Sequence, residues 1–530
     1  MNRQPSALDF PRGWMLHLGS KPPRVSSSSR RQRVCWCWGV ALLLVCAVRP
    51  LVGQDTPRRS LPNVLMVCID DQNDWIGVLG KHPSVQTPHL DALARKGVLF
   101  TNAHCQAPLC NPSRTSLFLG LRPSTTGIYG LSPWFRQVDA WRDRVTLPQY
   151  LRKHGYLTLA TGKVYHGVPG GPRARQLEFD IWGPGGGIGA KPPQKLIPPT
   201  PMGNHPLMDW GVFPHQEEQK GDYQITSWAI EQLQKLPTDR PFFLAVGYFL
   251  PHVPCYVPPS YWELYPDDDS LLPPLRDDDR QDTPRFSWYL HWYLPEPRWR
   301  WVAEHQQARS LIRSYLASTS FVDAQIGRLL TALANTPHAS QTLIVVWSDH
   351  GWHLGEKGIT GKNTLWERST HVPLIFAGPN IAPGQTCDEP VELLDVYPTV
   401  LELCGLPIPA DLEGHSLVPW CHQPQQPRPW PAITTHNQGN HAVRSREWRY
   451  IRYADGSEEL YHLSTDPHEW HNLATRSDLA PVLAAHRRWL PRLDAPPAPG
   501  SEHRILTYDP ATDEALWEGK LIRRDDPIPE

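Results

Sequence analysis

The sequence carries almost no charge of either sign to spare: 52 Lys and Arg stand against 53 Asp and Glu, a formal net charge of −1 over 530 residues. That balance excludes a global field that would favour nucleic acid or an anionic membrane surface, so any anion recognition must come from a few convergent cations. No Cys-x-x-Cys pair occurs among the ten cysteines, which leaves a structural zinc site without its usual signature. No internal repeat is apparent, and no Gly-x-x-x-x-Gly-Lys precedes Lys163, which excludes a P-loop. Long apolar runs are missing as well. The most hydrophobic stretch, Val34 to Val48, is only about fifteen residues long, too short for a comfortable membrane span. Proline (58) and tryptophan (23) are plentiful instead, which predicts long, stiff loops rich in aromatic faces.

That short apolar run follows a basic, nearly acid-free segment in which Asp9 is the only carboxylate before residue 34. The combination predicts a cleaved targeting segment over 1–53, an exported protein (periplasmic, extracellular or lysosome-like) and a mature chain with no stable membrane span. The basic part is long, and Met15 offers an alternative start. Three cysteines fall in this segment. Of the remaining seven, Cys68 reads as a buried thiol, and an even set excluding Cys110 permits disulfides without fixing their pairing.

Beyond it, strand and helix patterns alternate. Val64–Ile69 is a continuous apolar run ending at Asp70-Asp71, the pattern of a strand buried on both faces. Thr87-Pro88 opens a helix, Leu147–His154 is another, and Ala308–Ala334 is a long amphipathic one. Tyr156–Ala160, Phe242–Tyr248, Thr342–Trp347 and Val372–Ala377 read as strands. This alternation predicts an α/β sheet sandwiched by helices over 61–422. After the Pro/Gln-rich stretch Gln423–Pro431, the chain predicts a smaller α+β subdomain over 432–530. It contains a hairpin of Ala442–Tyr453 and Glu459–Leu463 about Asp455-Gly456, then a helix from Pro481 to Leu493.

Ligand sites in open α/β sheets gather at strand carboxyl ends, where Asp70, Asp71, Asp349 and His350 fall. An acidic strand end taken singly is usually a solvated loop start. Asp70-Asp71 offers two hard oxygen ligands for a divalent cation such as calcium, and Asp349-His350 would supply two more ligands, although calcium prefers oxygen to the His350 nitrogen. The segment Cys110-Asn111-Pro112-Ser113-Arg114 opens a helical stretch; four fixed residues of this kind recur by chance at roughly one in 10⁵ positions. An isolated His or Lys would ordinarily be read as surface or packing.

Taken in order, Asp70-Asp71, Cys110 to Arg114, Thr161-Gly162-Lys163-Val164-Tyr165-His166, Pro251-His252-Val253-Pro254, Ser348-Asp349-His350-Gly351-Trp352, Lys362 and Thr370-His371-Val372-Pro373-Leu374 resemble the type I sulfatases. Within that family the chain is most similar to the iduronate-2-sulfatase branch, through His350 and Arg122-Pro123-Ser124-Thr125-Thr126-Gly127-Ile128-Tyr129. The tail Leu460-Tyr461 to Leu473 is similar to the C-terminal subdomain of such enzymes. The resemblance implies an alkaline-phosphatase-like mixed sheet and a sulfuric ester hydrolase acting on a sulfated oligo- or polysaccharide. It implies Cys110 oxidised to formylglycine (3-oxoalanine) by a formylglycine-generating enzyme. One Ca²⁺ would be held by Asp70, Asp71, Asp349, His350 and residue 110, with His350 either a ligand or a hydrogen-bond partner of the hydrated aldehyde. The aldehyde hydrate would attack sulfur. Lys163, Lys362 and His252 would hold the charge, His252 or Lys362 would protonate the leaving alkoxide, and His166 would take the proton that releases sulfate. Arg114 would orient residue 110 and support the metal ligands. Lys163, His252, Trp352 and Lys362 would bind substrate. A phosphonate or phosphate monoester hydrolase of the same superfamily, or a catalytically idle relative that binds sulfated glycans, are the alternatives.

The chain departs from that branch at Phe249-Leu250, where relatives tend to carry His-Lys, so two polar groups are lost beside the pocket; His353 is expected to return one. The tryptophans of 258–300 (Trp262, Trp288, Trp292, Trp299) either stack on sugar rings or pack a long loop onto the body. Gly183–Gly189 reads as a loop near the site mouth.

Overall fold

A computed structural model describes residues 61–529. The expected targeting segment at 1–53 lies outside the described residues. Among those described, no helix is long and apolar enough to cross a membrane.

Strand β1 (Asn63–Asp70) is buried along its whole length because both faces of its sheet are covered. Its side chains alternate between two cores: Val64, Met66 and Cys68 enter one, Leu65, Val67 and Ile69 the other. The sheet also contains β2 (Gly97–Phe100), β3 (Leu157–Gly162), β4 (Ile181–Trp182), β5 (Phe242–Pro251), β6 (Thr342–Ser348), β7 (Leu374–Ala377) and β8 (Gln385–Cys387), in the order β8-β2-β7-β6-β1-β5-β3-β4. Parallel pairing joins β1 to β5 and β6, while β7 is antiparallel to both β6 and β2, so the sheet is mixed as expected.

Helices α1 (Pro88–Ala94), α2 (Cys110–Leu119), α3 (Leu147–Lys153), α4 (Gly221–Lys235), α5 (Ala308–Ala334) and α6 (Val396–Leu403) cover the two faces. Leu117, Leu147 and Val400 close one core; Ile225, Phe321, Ile326 and Leu329 close the other. Helix α5 has the bounds its amphipathic pattern predicts. Thr87, expected to cap α1, makes no cap bond; its Oγ1 donates to Asp91 Oδ1 at 3.0 Å. The free amides of His89 and Leu90 donate instead to Asp323 of α5, at 3.1 and 2.7 Å.

The second sheet differs from its sequence reading. Ala442–Tyr453 is two strands, so the four-stranded antiparallel sheet runs β9 (Ala432–Thr435), β10 (His441–Arg444), β11 (Trp448–Arg452), β12 (Glu458–His462). The expected turn at Asp455-Gly456 joins β11 to β12. The following helix, α7 (Ala480–Arg487), stops short of Leu493. A further sheet, β13 (Leu506–Asp509), β14 (Glu514–Trp517) and β15 (Lys520–Ile522), was not anticipated. Its signal was slight: short strands about Glu518-Gly519, which both take positive φ, 48° and 78°.

The tryptophan-rich loop packs rather than presenting free faces. Trp292, Phe286 and Trp366 share a core with Ile451, Tyr461 and Trp517 of the C-terminal sheets, and Arg280 lies 3.3 Å over the Trp288 ring. All seven described cysteines are buried free thiols, so none of the permitted disulfides forms among the described residues.

Candidate active site

The strand ends deliver their residues to one point. Asp70 closes β1, Lys163 follows β3, His252 follows β5, and Asp349 and His350 follow β6. Cys110 opens α2, with Pro112 in its first turn, where the positive end of the helix faces the cluster. Gly162 and Gly247 bring Lys163 in close: a Cβ on Gly247 would stand 2.2 Å from the Lys163 carbonyl carbon.

Ligand atoms of Asp70, Asp71, Cys110 and His350 all lie within 4.8 Å of one another. Asp349 stands beside this group. Its Oδ1 accepts from the Asp71 and His350 amides at 3.1 and 3.0 Å, and its Oδ2 accepts from Arg114 Nε at 2.8 Å. That Oδ2 is 3.6 Å from His350 Nε2, so Asp349 borders the cluster while bracing it. Arg114 also donates to Asp70 Oδ1 at 3.1 Å and to the Lys163 and Val164 carbonyls. Ser113 Oγ donates to the Asp349 carbonyl at 2.6 Å.

Cations surround Cys110. Lys362 Nζ is 3.1 Å and Lys163 Nζ 3.7 Å from its Sγ, and His350 Nε2 is 3.3 Å away. Lys163 pairs with Asp70, and Lys362 with Asp71 Oδ1 at 2.7 Å. His252 Nε2 lies 3.9 Å from Asp71 Oδ2, at the rim. His166 lies against Cys110, and its buried Nδ1 has no hydrogen-bond partner among the described residues. Burial pushes the Cys110 thiol up, but Lys163, Lys362 and His350 outweigh it and hold it well below the ordinary thiol range. The pocket therefore stabilises negative charge at position 110. Burial lowers the His166 pKa, which favours the neutral imidazole.

A divalent cation fits this donor set. Asp71 Oδ2 is buried with no hydrogen-bond partner, a costly state that a cation relieves. Asp71 takes φ 63°, a left-handed conformation that points to constraint by its surroundings. His350 Nδ1 is 3.0 Å from the Gly351 carbonyl, which can only accept. Nδ1 therefore carries a proton, and Nε2 is the ring nitrogen that faces the cluster.

One expectation changes. His353 does not return a polar group to the pocket: it is buried, with Nε2 2.8 Å from Thr364 Oγ1 and Nδ1 3.2 Å from the Glu356 carbonyl. The wall facing His252 and Lys163 is Phe249, whose ring lies 4.9 Å from the His252 ring and 5.6 Å from Lys163 Nζ. Trp352 is buried beneath, 5.4 Å from Lys362 Nζ. Sequence reasoning missed Tyr315. In the first third of α5, its hydroxyl accepts from the Asn73 amide at 2.8 Å and donates to the Asp71 carbonyl at 2.7 Å. A tyrosine on an apolar helix face carries no local sign of such a role. The Gly183–Gly189 loop packs on the end of β3, with the Gly162 amide donating to the Pro184 carbonyl at 2.9 Å.

The Sulfatase family profile matches residues 62–406. The chain belongs to the sulfatase family. It is an enzyme that hydrolyses sulfate esters, on the large mixed sheet shared with alkaline-phosphatase-like proteins. A second profile, N-sulphoglucosamine sulphohydrolase, C-terminal, matches 355–495. This sulfatase is similar to a sulfatase of Formosa agariphila, 40% identical over 82% of the chain and 87% of that protein. It is also similar to the iduronate 2-sulfatase of Homo sapiens, 33% identical over 70% and 74%. Among solved structures, a 2-O GAG sulfatase matches with TM-score 0.64 at 24% identity over 81% of this chain and 91% of that one. The phosphonate monoester hydrolase of Agrobacterium radiobacter matches with TM-score 0.66 at 22% identity over 81% and 94%. At that identity these two similarities concern the fold.

Proposed function

We propose that this sulfatase removes sulfate from an acidic, sulfated saccharide of the iduronate-2-sulfatase type, with residue 110 as formylglycine and one calcium ion. The observation that carries the reading is the convergence of Asp70, Asp71, Cys110 and His350 within 4.8 Å, with Lys163 and Lys362 against Cys110. Similarity to iduronate 2-sulfatase supports the substrate class. The catalytic part would span 61–422 and the smaller part 432–530. Export after loss of 1–53, and maturation by a formylglycine-generating enzyme, belong to the same proposal.

Asp70, Asp71, Asp349, His350 and residue 110 would hold the calcium ion, which would supply Lewis acidity to the site. The chain's own groups do the rest. Lys163 and Lys362 bind the ester oxygens and hold charge that grows in the transition state. His252, at the rim, donates the proton to the departing sugar oxygen, with Lys362 as the other candidate donor. His166, neutral through burial, accepts a proton from residue 110 in the release half of the cycle. Arg114 holds Asp70 and Asp349 in register with residue 110. Trp352 and Phe249 shape the wall.

The test is mass and turnover together. A peptide spanning residue 110 is expected about 18 Da lighter than the cysteine form, and Cys110→Ala is expected to abolish aryl sulfate hydrolysis. An unmodified thiol in active enzyme, or a Cys110→Ala variant with substantial activity, refutes the nucleophile. Faster turnover of aryl phosphonate than aryl sulfate moves the enzyme to the phosphonate monoester hydrolases.

A further inference from the structure

Residues beyond 495 lie outside both family profiles, yet they fold into the β13–β15 sheet. The loop that leads into this sheet is tied to the site from two directions. Asn111, next to Cys110, donates to the Gly130 and Pro133 carbonyls at 3.0 Å each, and the same loop pairs with the tail, the Leu131 amide donating to the His503 carbonyl at 3.0 Å. Opposite, Gly361, next to Lys362, lies so close to Glu296 that a Cβ would stand 2.7 Å from Glu296 Cγ. Glu296 in turn accepts from both Arg504 terminal nitrogens at 3.3 Å.

Leu131 and Arg504 of these two ties also line a cavity of about 430 Å³, together with Met202, His205, Tyr293, His503 and Lys520, within the range of small-ligand sites. Its one lining carboxylate, Glu518, is engaged by the Arg504 amide at 2.6 Å. Lys520 forms no ion pair among the described residues; its Nζ stands 5.7 Å from the Tyr293 ring centroid. An independent mark is backbone strain. His503 and Arg504 are successive side-chain-bearing residues with φ 61° and 74°, held there by Leu131, by Asn437 Nδ2 on the Arg504 carbonyl at 3.2 Å, and by Glu518. Such conformations persist where the surroundings over-determine them, and they gather at ligand sites.

We propose that this cleft binds the saccharide residue adjoining the one that is desulfated, and that Lys520 selects a residue carrying an anionic substituent, a carboxylate or a sulfate. The unpaired ammonium recognises the charge, and Tyr293 with Met202 offers the apolar wall that a sugar ring covers. The inference rests on the saccharide sulfatase reading above. It assigns the tail beyond the family profiles to substrate choice.

The experiment measures binding and turnover on the full chain, with heparan-type and chondroitin-type tetrasaccharides and their carboxyl-reduced forms. Binding is read by calorimetry on a Cys110→Ala background, so that it does not depend on catalysis. Lys520→Ala is expected to weaken tetrasaccharide binding about tenfold, the size of one charge-assisted contact. Lys520→Arg should restore it, and in the active enzyme KM for the tetrasaccharide should rise far more than KM for an aryl sulfate. Loss of the Lys520 effect on carboxyl reduction identifies a carboxylate; its persistence identifies a sulfate. Equal affinity of wild type, Lys520→Ala and Lys520→Glu for every tetrasaccharide, or no binding by wild type, overturns the proposal. Tetrasaccharide binding that depends on Lys520 without any desulfation refutes the enzyme's proposed substrate and leaves the cleft standing.

Discussion

Arg114 is 1% exposed, and its guanidinium spans Asp70 and Asp349. Removing one partner of a buried ionic set leaves charge uncompensated, which costs about 3–5 kcal/mol. Arg114→Met is therefore expected to lower stability by about that much and to abolish activity, as read by urea denaturation and aryl sulfate turnover. A stable but inactive variant would restrict Arg114 to a purely chemical role. Lysine is a poor substitute, because a single ammonium cannot reach both carboxylates and the carbonyls of residues 163 and 164 from one planar group. His252 makes a different prediction. As the proposed proton donor to the leaving oxygen, it should matter most when that oxygen is a sugar alkoxide. His252→Ala should reduce saccharide desulfation by about 10²–10⁴-fold and nitrophenyl sulfate hydrolysis far less; equal losses assign the proton elsewhere.

At the scale of elements, the contact between α5 and α1 carries a pH dependence. Asp323 caps the amides of His89 and Leu90, but burial outweighs those bonds and lifts its carboxyl to about 7. The folded protein therefore binds this proton more tightly than the unfolded chain, whose aspartates titrate near 3.9. Stability from this group is at its full value below about pH 4, declines as pH rises towards 7, and is level above that, a change on the order of a few kcal/mol. Asp323→Asn keeps one acceptor and removes the charge, so it should flatten the decline. Urea midpoints between pH 4.5 and 8 test this, and an unaltered slope in the variant excludes the group. The sheet itself was legible because β1, β5 and β6 are unbroken apolar runs, the mark of strands covered on both sides. β2, β4 and β8 were not. They are short and lie towards the sheet edges, where two to four residues carry no usable period.

Across the whole molecule, the C-terminal sheets complete the interior of the sulfatase. Trp366 donates to Glu459 Oε2 at 2.7 Å, and the wholly buried Arg449 reaches Glu367 and, at 2.8 Å, the Leu365 carbonyl. Ile359, Leu365, Trp292 and Leu294 pack against Ile451, Tyr461 and Trp517. A chain ending at residue 431 would expose this apolar surface and leave Arg449's partners charged and bare. It is expected to be insoluble or aggregated, as read by fractionation and size-exclusion chromatography; a soluble, active 61–431 fragment would mean that the catalytic part folds alone. The 423–431 stretch reads as a linker by composition, yet Arg428 is buried on Asp395 at 2.7 Å, because a proline-rich segment can be stitched to the body by a single side chain.

Local order along the chain determined which residues carry the proposed chemistry. The Cys110–Arg114 segment, the carboxylates after apolar strands, and the lysines and histidines of the family's series were all readable, since each is a short run whose meaning depends on sequence neighbours. Tertiary structure alone decided what surrounds them. Tyr315 under Asp71, Phe249 as the pocket wall, His353 turned inward onto Thr364, and the strained His503-Arg504 corner at the cleft are contacts between residues far apart in the chain. Such contacts depend on how strands and helices stack, and no local pattern of residues records which distant side chain will fill a given space.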